Sequence, residues 1–180
     1  MRTRSRYIAA ISLLGLATGL LPMSAPAAEP PGSGGSDVLI EPEHLARCLK
    51  RRVKAKERGF IAKHNAARDA RGLSPLRMDV HLGKVARVHT REMTRKATLH
   101  HTSTTRLSRR VTRWSTLGEN VGVGGTVSSL FSAFMNSPSH RDNVLYSKFN
   151  HIGVGTKTAD GRLWVTVIFE ARDNPGTPLC

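Results

Sequence analysis

Apolar residues recur about every 3.6 positions in two long stretches of the first half of the chain, which predicts two helices. The first stretch runs from about Glu43 to Arg71, where Gly72 stops it. Its middle is so rich in Lys and Arg that we expect a break near Arg58–Gly59, with the better helix after it. The apolar positions of this stretch are Leu45, Cys48, Leu49, Val53, Phe60, Ile61, His64 and Ala67.

Asp79 is placed to cap the second helix, because a short carboxylate can accept hydrogen bonds from the first backbone N–H groups of a helix. One face of this helix is expected to enter the core, and the opposite face, with Arg87, Thr90, Arg91 and Thr94, is expected to face solvent. The core face consists of Leu82, Val85, Ala86, His89, Met93 and Ala97.

A third helix is predicted after a segment without periodicity. Residues 98–115 are rich in Thr, Ser and Arg, and we expect them to be irregular with at most one short helical turn. The helix that follows spans Val127 to Asn136 and ends at Ser137–Pro138, because proline does not continue a helix. Its core positions are Val127, Leu130, Phe131 and Phe134.

The end of the chain has the pattern of a β-hairpin. Residues His151–Thr156 and Leu163–Phe169 have the β-branched and aromatic content of strands, and Asp160–Gly161 between them is a strong turn signal. Helices followed by a hairpin predict an α+β domain with an antiparallel sheet.

The first residues have the outline of a secretory signal peptide. Three arginines lie in the first six residues, an apolar run from Tyr7 to Leu21 ends at Pro22, and Ala25 and Ala27 fit the positions that a signal peptidase prefers. We therefore predict a signal peptide over residues 1–28, cleaved after Ala27 give or take one residue, and a secreted protein. A retained membrane anchor is the alternative, but the run is shorter than the roughly 20 apolar residues of a transmembrane helix.

The remaining chain divides into four predicted parts. Residues 29–42, rich in Pro, Gly and Ser, form a flexible linker. A basic helical extension over 43–59, one compact domain over 60–172 and a tail over 173–180 follow. We expect the protein to be a monomer.

Two cysteines, Cys48 and Cys180, lie near the two ends of the predicted mature chain. In the oxidising environment outside the cell they can form one disulfide, which would tie both ends to the domain. Two free thiols or an intermolecular bridge are the alternatives.

The charge is strongly positive, and without the leader the chain keeps 25 basic against 13 acidic residues, a net charge of +12. Such a charge attracts polyanions, and outside the cell these are anionic envelope polymers or lipid head groups. Specific nucleic-acid binding is disfavoured, because aromatic residues for base stacking make up only 5% of the chain. A solvated surface with no specific partner is the simpler interpretation.

Candidate chemistry is confined to three places where the local pattern does not require a charged or imidazole group: residues 99–103, 118–121 and 139–143. Two imidazoles and one carboxylate from these places could bind a divalent cation with open positions, or could pair a general base with an orienting acid. Solvated loop residues are the alternative. Four other histidines have no predicted chemical role: His64 and His89 are expected in the core, and His44 and His81 at the surface.

At these residues the chain resembles a bacterial member of the CAP (SCP-like) superfamily, which unites cysteine-rich secretory proteins, antigen 5 and plant pathogenesis-related proteins. Several motifs occur in the family's order between about Phe60 and Phe169, and their agreement is more specific than Gly118-Glu119-Asn120 alone. The matching segments are 64–68, 72–76, 79–82, 99–103, 117–120, 134–145 and 149–155.

The resemblance implies a three-layer α-β-α sandwich with a small antiparallel sheet. It also implies a shallow cleft, which in many members holds two His and two Glu that can bind a divalent cation, often zinc. By motif position the first His is His101, with His100 as the adjacent alternative, the first Glu is Glu119 and the second His is His140. The second Glu falls near Ser137, so this carboxylate is missing and cation binding is expected to be weak or absent.

The resemblance also assigns structural hydrogen bonding to Asn65, Asn120 and Asn143. Phe134 takes a position where the family commonly has Trp.

Two functions follow from these observations, and a third, the binding of nucleic acid or a heparin-type polyanion, rests on the charge alone. The first is a secreted module that binds a small lipid or another cell-envelope component in the cleft, held near the envelope by its basic surface. The second is a secreted hydrolase, a peptidase in which His101 or His140 is the base, Glu119 orients it, and Ser139 or a cation-bound water attacks. The missing carboxylate and the absence of a nucleophile-elbow sequence disfavour the second.

Overall fold

A computed structural model describes residues 53–172. The predicted signal peptide, the linker, the tail and both cysteines lie outside this range. The helices are α1 (Ala55–Asp69), α2 (Val80–Lys96), α3 (Thr104–Arg110), α4 (Val127–Asn136) and α5 (Pro138–Leu145). The strands are β1 (Arg77–Met78), β2 (Thr116–Gly124), β3 (His151–Ala159) and β4 (Arg162–Ala171).

The four strands form one sheet in the order β1-β3-β4-β2. Strand β1 is parallel to β3, whereas β3 and β2 are both antiparallel to β4. The predicted hairpin is confirmed, and Asp160 and Gly161 adopt the left-handed backbone angles that its tight turn requires, with φ of 50° and 68°. Strands β1 and β2 were not predicted, and β2 is the last strand at one side of the sheet.

Helices cover both faces of the sheet, which confirms the predicted α-β-α sandwich. Alternate residues of β4 point to opposite faces, as the pleat of a strand requires. Val165 and Val167 pack in one apolar cluster with Phe60 of α1 and Phe134 of α4. Ile168 packs in a second cluster, which contains residues of α2 and α3.

Helix α1 begins at Ala55 and continues without interruption to Asp69, so the break expected at Arg58–Gly59 is wrong. The carboxylate of Glu57 holds the first turn, because it accepts a hydrogen bond from the backbone N–H of Lys54 at 3.0 Å. The same carboxylate is fully buried and pairs with Arg87, whose Nη2 lies 2.6 Å from Oε2. A tertiary ion pair therefore stabilises a turn that the local charge disfavours.

Helix α2 begins as predicted, because Asp79 accepts hydrogen bonds from the N–H groups of His81 and Leu82 at 2.6 and 3.0 Å. Three of its positions differ from the prediction, and the first is Arg87, whose paired side chain is only 18% exposed rather than facing solvent. Thr90 is buried rather than exposed, since its hydroxyl bonds to Thr166 of β4 at 2.9 Å. Ala97 is exposed at the C-cap, where the chain adopts a left-handed conformation.

The segment expected to be irregular contains one short helix, α3, of seven residues. Helix α4 has the predicted bounds and ends at Ser137. Pro138 then begins α5, a helix that was not predicted. Proline is favourable at the first position of a helix, because the backbone N–H that it lacks would have no partner within the helix there. None of the helices between residues 53 and 172 has the length and apolar character that a membrane crossing requires.

The ring of His64 is completely buried, and it lies 5.0 Å from the ring of Phe131 and 5.5 Å from that of Phe169. Burial lowers the pKa of His64 from 6.5 to about 4. Because the folded protein resists this protonation, the stability that depends on neutral His64 is complete above pH 6.5 and is lost as the pH falls toward 4.

We expect His64→Leu to reduce the loss of unfolding free energy between pH 7 and pH 4.5 by about 2 to 3 kcal/mol. Urea unfolding at both pH values measures this difference, which does not depend on how much the substitution changes stability at pH 7. His81→Gln is the control, because His81 is exposed. Equal pH dependence in the wild type and the His64 variant would contradict the prediction.

Candidate functional site

Strand β2 carries the predicted motif Gly118-Glu119-Asn120 at the side of the sheet where no further strand pairs within residues 53–172. Glu119 lies opposite Ile168 and therefore faces the α2 layer, whereas Asn120 lies opposite Val167 and faces α4 and α5. The candidate residues are thus distributed over both faces of one edge strand.

His101 comes from the loop between α2 and α3 and contacts Glu119 directly. Its Nδ1 donates a hydrogen bond to Glu119 Oε1 at 2.9 Å, and the N–H of Thr102 donates to the same oxygen at 2.8 Å. The hydrogen bond to Glu119 raises the pKa of His101. The His101 side chain is 58% exposed, whereas that of Glu119 is only 6% exposed. The ring of His101 is therefore exposed to solvent while it is hydrogen-bonded to a buried carboxylate.

Glu119 has one oxygen that is not satisfied. Its Oε2 is buried and makes no hydrogen bond within residues 53–172. An unpaired carboxylate oxygen away from water costs about 1 to 3 kcal/mol or more, so a buried one needs an explanation.

His140 lies on α5, on the other side of the edge strand. Its Nδ1 is 2.8 Å from the hydroxyl of Ser137, and its ring stacks on Phe134 with a centroid distance of 5.2 Å. Burial lowers the pKa of His140, and the nearby charge on His101 lowers it further. His140 therefore loses its proton more readily than His101 does. Neither ring uses its Nε2 for a hydrogen bond within the described residues.

Asparagine side chains tie α5 to β2 and so set the position of His140. Asn120 Nδ2 donates to the carbonyl of His140 at 3.0 Å. Asn143 Nδ2 donates to Asn120 Oδ1 at 2.9 Å and to the carbonyl of Glu119 at 3.3 Å. Asn65 is elsewhere and makes two hydrogen bonds with the backbone of Leu76.

The adjacent alternative, His100, is not placed against Glu119. Its Nδ1 is 3.0 Å from the carbonyl of Thr98, and its Nε2 is 4.0 Å from Glu92. The structure therefore places His101, and not His100, against Glu119, while His140 lies across the same edge strand.

The residues proposed for a hydrolase do not form one relay. Ser139 is exposed and is not bonded to either histidine, whereas Ser137 contacts His140. The carboxylate of Glu119 contacts the other histidine, His101. A serine hydrolase needs nucleophile, base and acid in one chain of hydrogen bonds, and here the hydroxyl and the acid are divided between two imidazoles.

The donor set fits a cation poorly. Within residues 53–172 no group of three or more His, Cys, Asp or Glu side chains is arranged to hold a metal ion. Two imidazole nitrogens are available, but zinc sites in proteins have three or four protein ligands. The three-residue metal site therefore stays a prediction.

Ser137 was identified from the sequence only as the place of a missing carboxylate. Its contact with His140 three residues later depends on Pro138 beginning a helix between them. A Ser-Pro-x-His spacing is the signal that could have indicated it, because residues three apart meet on one side of a helical turn.

Comparison with known proteins supports the fold. The model of the cysteine-rich secretory protein (CAP) family matches residues 61–169. The chain is 35% identical to the uncharacterized protein YkwD of Bacillus subtilis over 119 residues, which is 62% of this chain and 46% of YkwD. The chain thus spans less than half the length of this relative.

Two solved structures are similar in fold. An outer surface protein of Borrelia burgdorferi has a TM-score of 0.58 and 23% identity, over 63% of this chain and 90% of that protein. An extracellular protein of Bacillus anthracis that contains an SCP domain has a TM-score of 0.58 and 25% identity, over 65% of this chain and 40% of that protein.

Proposed function

Because the chain belongs to the cysteine-rich secretory protein (CAP) family, we propose that it is an extracellular binding module whose ligand occupies the cleft of His101, Glu119 and His140. The observation that supports this most directly is the unpaired Oε2 of Glu119, an oxygen buried beside an exposed imidazole. A ligand that donates a hydrogen bond or carries positive charge would satisfy this oxygen.

The two imidazoles define the rest of the ligand chemistry. Since the pKa of His101 is raised and that of His140 is lowered, the first is the better proton donor and the second the better acceptor near neutral pH. Together with Glu119 they offer donor and acceptor groups to a polar head that has both. We propose a hydroxyl- or ammonium-bearing head group of a small lipid or another cell-envelope component.

A divalent cation is a weaker occupant of the same cleft. His101 and His140 would hold it through Nε2, and water would complete its coordination, while Glu119 and Ser137 would orient the rings through Nδ1. Bound there, the ion would supply positive charge for recognition of an anionic group. A serine is a weaker orienting group than a carboxylate, so the affinity should be low.

Zinc is therefore the probe for this cleft. We expect Ser137→Glu to tighten Zn²⁺ binding about 10- to 100-fold at pH 7, because it places a carboxylate on Nδ1 of His140. His140→Ala should abolish the gain. The measurement is a competition titration against a chromophoric chelator, repeated with solubilised polar lipids, which should displace Zn²⁺ if they occupy the same cleft.

Ser139→Glu is the matched control, since it adds the same charge two residues away on an exposed position. Equal tightening by both substitutions would show that only local charge acts, and would contradict the proposed geometry. Lipid that binds without displacing Zn²⁺ would place the ligand outside the cleft.

A further inference from the structure

Helices α2 and α3 lie side by side and form one outer face of the molecule. Near one end, His81 Nε2 is 2.8 Å from the carbonyl of Arg110. Near the other end, Arg106 Nη1 donates to Glu92 Oε2 at 2.7 Å. Since the higher-numbered residue of α3 meets the lower-numbered residue of α2, the two helices run in opposite directions along this face.

Positive charge is concentrated on these two helices and the loops that join and follow them. Residues 80–115 contain nine Lys and Arg and one acidic residue, whereas the other 84 residues between 53 and 172 contain twelve basic and seven acidic residues. The single acid, Glu92, is fully engaged, because hydrogen bonds from Arg106 and Lys96 lower its pKa to about 2. No acid on these helices is left to neutralise the other cations.

Five exposed cations on this face make no side-chain hydrogen bond or ion pair within residues 53–172. We name them the arginine face, and they are Lys84, Arg91, Arg95, Arg109 and Arg113. Lys84 and Arg95 lie eleven residues apart on α2, which corresponds to roughly 16 Å along a rigid helix. The backbone positions of the α2 cations are thus fixed relative to one another, although each side chain is free to bind.

We propose that the arginine face binds a flexible linear polymer with repeating phosphate groups and no nucleobases. Four of its five cations are arginines, whose planar forks bind phosphate oxygens in pairs. An array of cations suits a ligand that repeats its charge along its length. This surface uses none of the cleft residues and acts independently of the cleft.

A bilayer is less suited to this surface than a polymer. The only large apolar side chains that are exposed among residues 53–172 are Val88 at 38% and Leu99 at 45%. Interfacial binding to lipid needs a continuous apolar face that can enter the membrane.

Nucleic acid is also less suited. Every Phe, Tyr and Trp between residues 53 and 172 is at least partly buried. Single strands are bound largely by stacking of bases on exposed aromatic rings, so the arginine face offers contacts to the phosphates alone.

The test compares two triple variants of the full-length protein that remove the same charge. Arg91→Gln with Arg95→Gln and Arg109→Gln changes the arginine face. Lys148→Gln with Lys157→Gln and Arg162→Gln removes three exposed cations elsewhere. Binding to long-chain inorganic polyphosphate, a phosphate-repeat probe, is measured over a range of salt concentrations, alongside duplex DNA and phosphatidylglycerol vesicles.

We expect the first triple variant to bind polyphosphate at least about tenfold more weakly, with the slope of log affinity against log salt reduced by about 2 to 3. The second triple variant should change affinity less than about threefold, and His101→Ala should have no effect. If both triple variants weakened binding equally, the effect would depend on net charge alone, and the proposal would be overturned. Tighter binding of vesicles or of duplex DNA than of polyphosphate would overturn it in favour of those partners.

Discussion

Replacing Gly153 with alanine is expected to reduce the free energy of unfolding by about 4 kcal/mol or more, beyond the usual cost of overpacking. Gly153 lies on β3 where α2 crosses the sheet. A Cβ added there would come too close to the Cβ of Leu82 and to the backbone nitrogen of Gly83, at 2.2 and 2.4 Å. The helix backbone blocks the space, so rotation of a side chain cannot relieve the clash and α2 would have to move away.

A side chain at Gly155, two residues further along β3, would also clash with the backbone of α2, since its added Cβ would be 2.3 Å from the nitrogen of Arg87. Displacement of α2 would also move the loop that carries His101, so stability and the contact between His101 and Glu119 should be lost together. Gly125→Ala is the control, because nothing lies within 4 Å of the added atom. Urea unfolding compares the variants, and a loss below about 1 kcal/mol for Gly153→Ala would show that the helix contact is not rigid.

The second large effect is expected for Arg68→Ala, which should lose about 5 kcal/mol or more and approach the whole stability of a small domain. The guanidinium is fully buried, burial lowers its pKa, and no carboxylate within residues 53–172 pairs with it. It donates instead to four backbone carbonyls, at 2.9 to 3.1 Å, those of Ser74, Val144, Tyr146 and Phe149.

Removal of Arg68 would take a donor from all four carbonyls, and those of Val144 and Phe149 make buried hydrogen bonds, where an unsatisfied group costs about 1 to 3 kcal/mol. Arg68→Lys should also lose about 3 kcal/mol, because one ammonium with three donors cannot reach four carbonyls in different directions. Arg71→Ala, an exposed position three residues later, should change stability by less than about 0.5 kcal/mol. Chemical unfolding of the three variants tests this order, which a mild effect of Arg68→Ala would contradict.

Helix α2, helix α4 and the terminal hairpin could be predicted from the sequence because local signals agree at each of them. Asp79 supplies a cap, the apolar positions have one period, and Asp160–Gly161 suits a tight turn. Strand β2 could not be predicted, because its alternate glycines have no side chains that would show a pattern. These glycines are required by neighbours distant in sequence, since an added Cβ at Gly118 would be 2.8 Å from Phe149.

The burial of several polar side chains also could not be predicted from the sequence. Thr90 is polar and was expected to face solvent, yet it is buried and its hydroxyl bonds to Thr166 in the core. Glu57 and Arg87 are 30 residues apart in the sequence, and each belongs to a charged segment. Their ion pair stabilises the first turn of α1, which continues past the position where a break was expected. Local pattern cannot identify such pairs, because the partner that makes burial favourable is supplied by another element.

The sequence by itself determined the family and the order of the main elements, and it indicated three candidate site residues, because each depends on residue types in a fixed order. The tertiary structure alone decided which nitrogen each imidazole uses, that the hydroxyl of Ser137 contacts His140, and that Glu119 keeps one oxygen unpaired within the described residues. Hydrogen-bond direction, burial and pKa depend on distances between groups far apart in the chain, and only the packing of helices on the sheet fixes those distances.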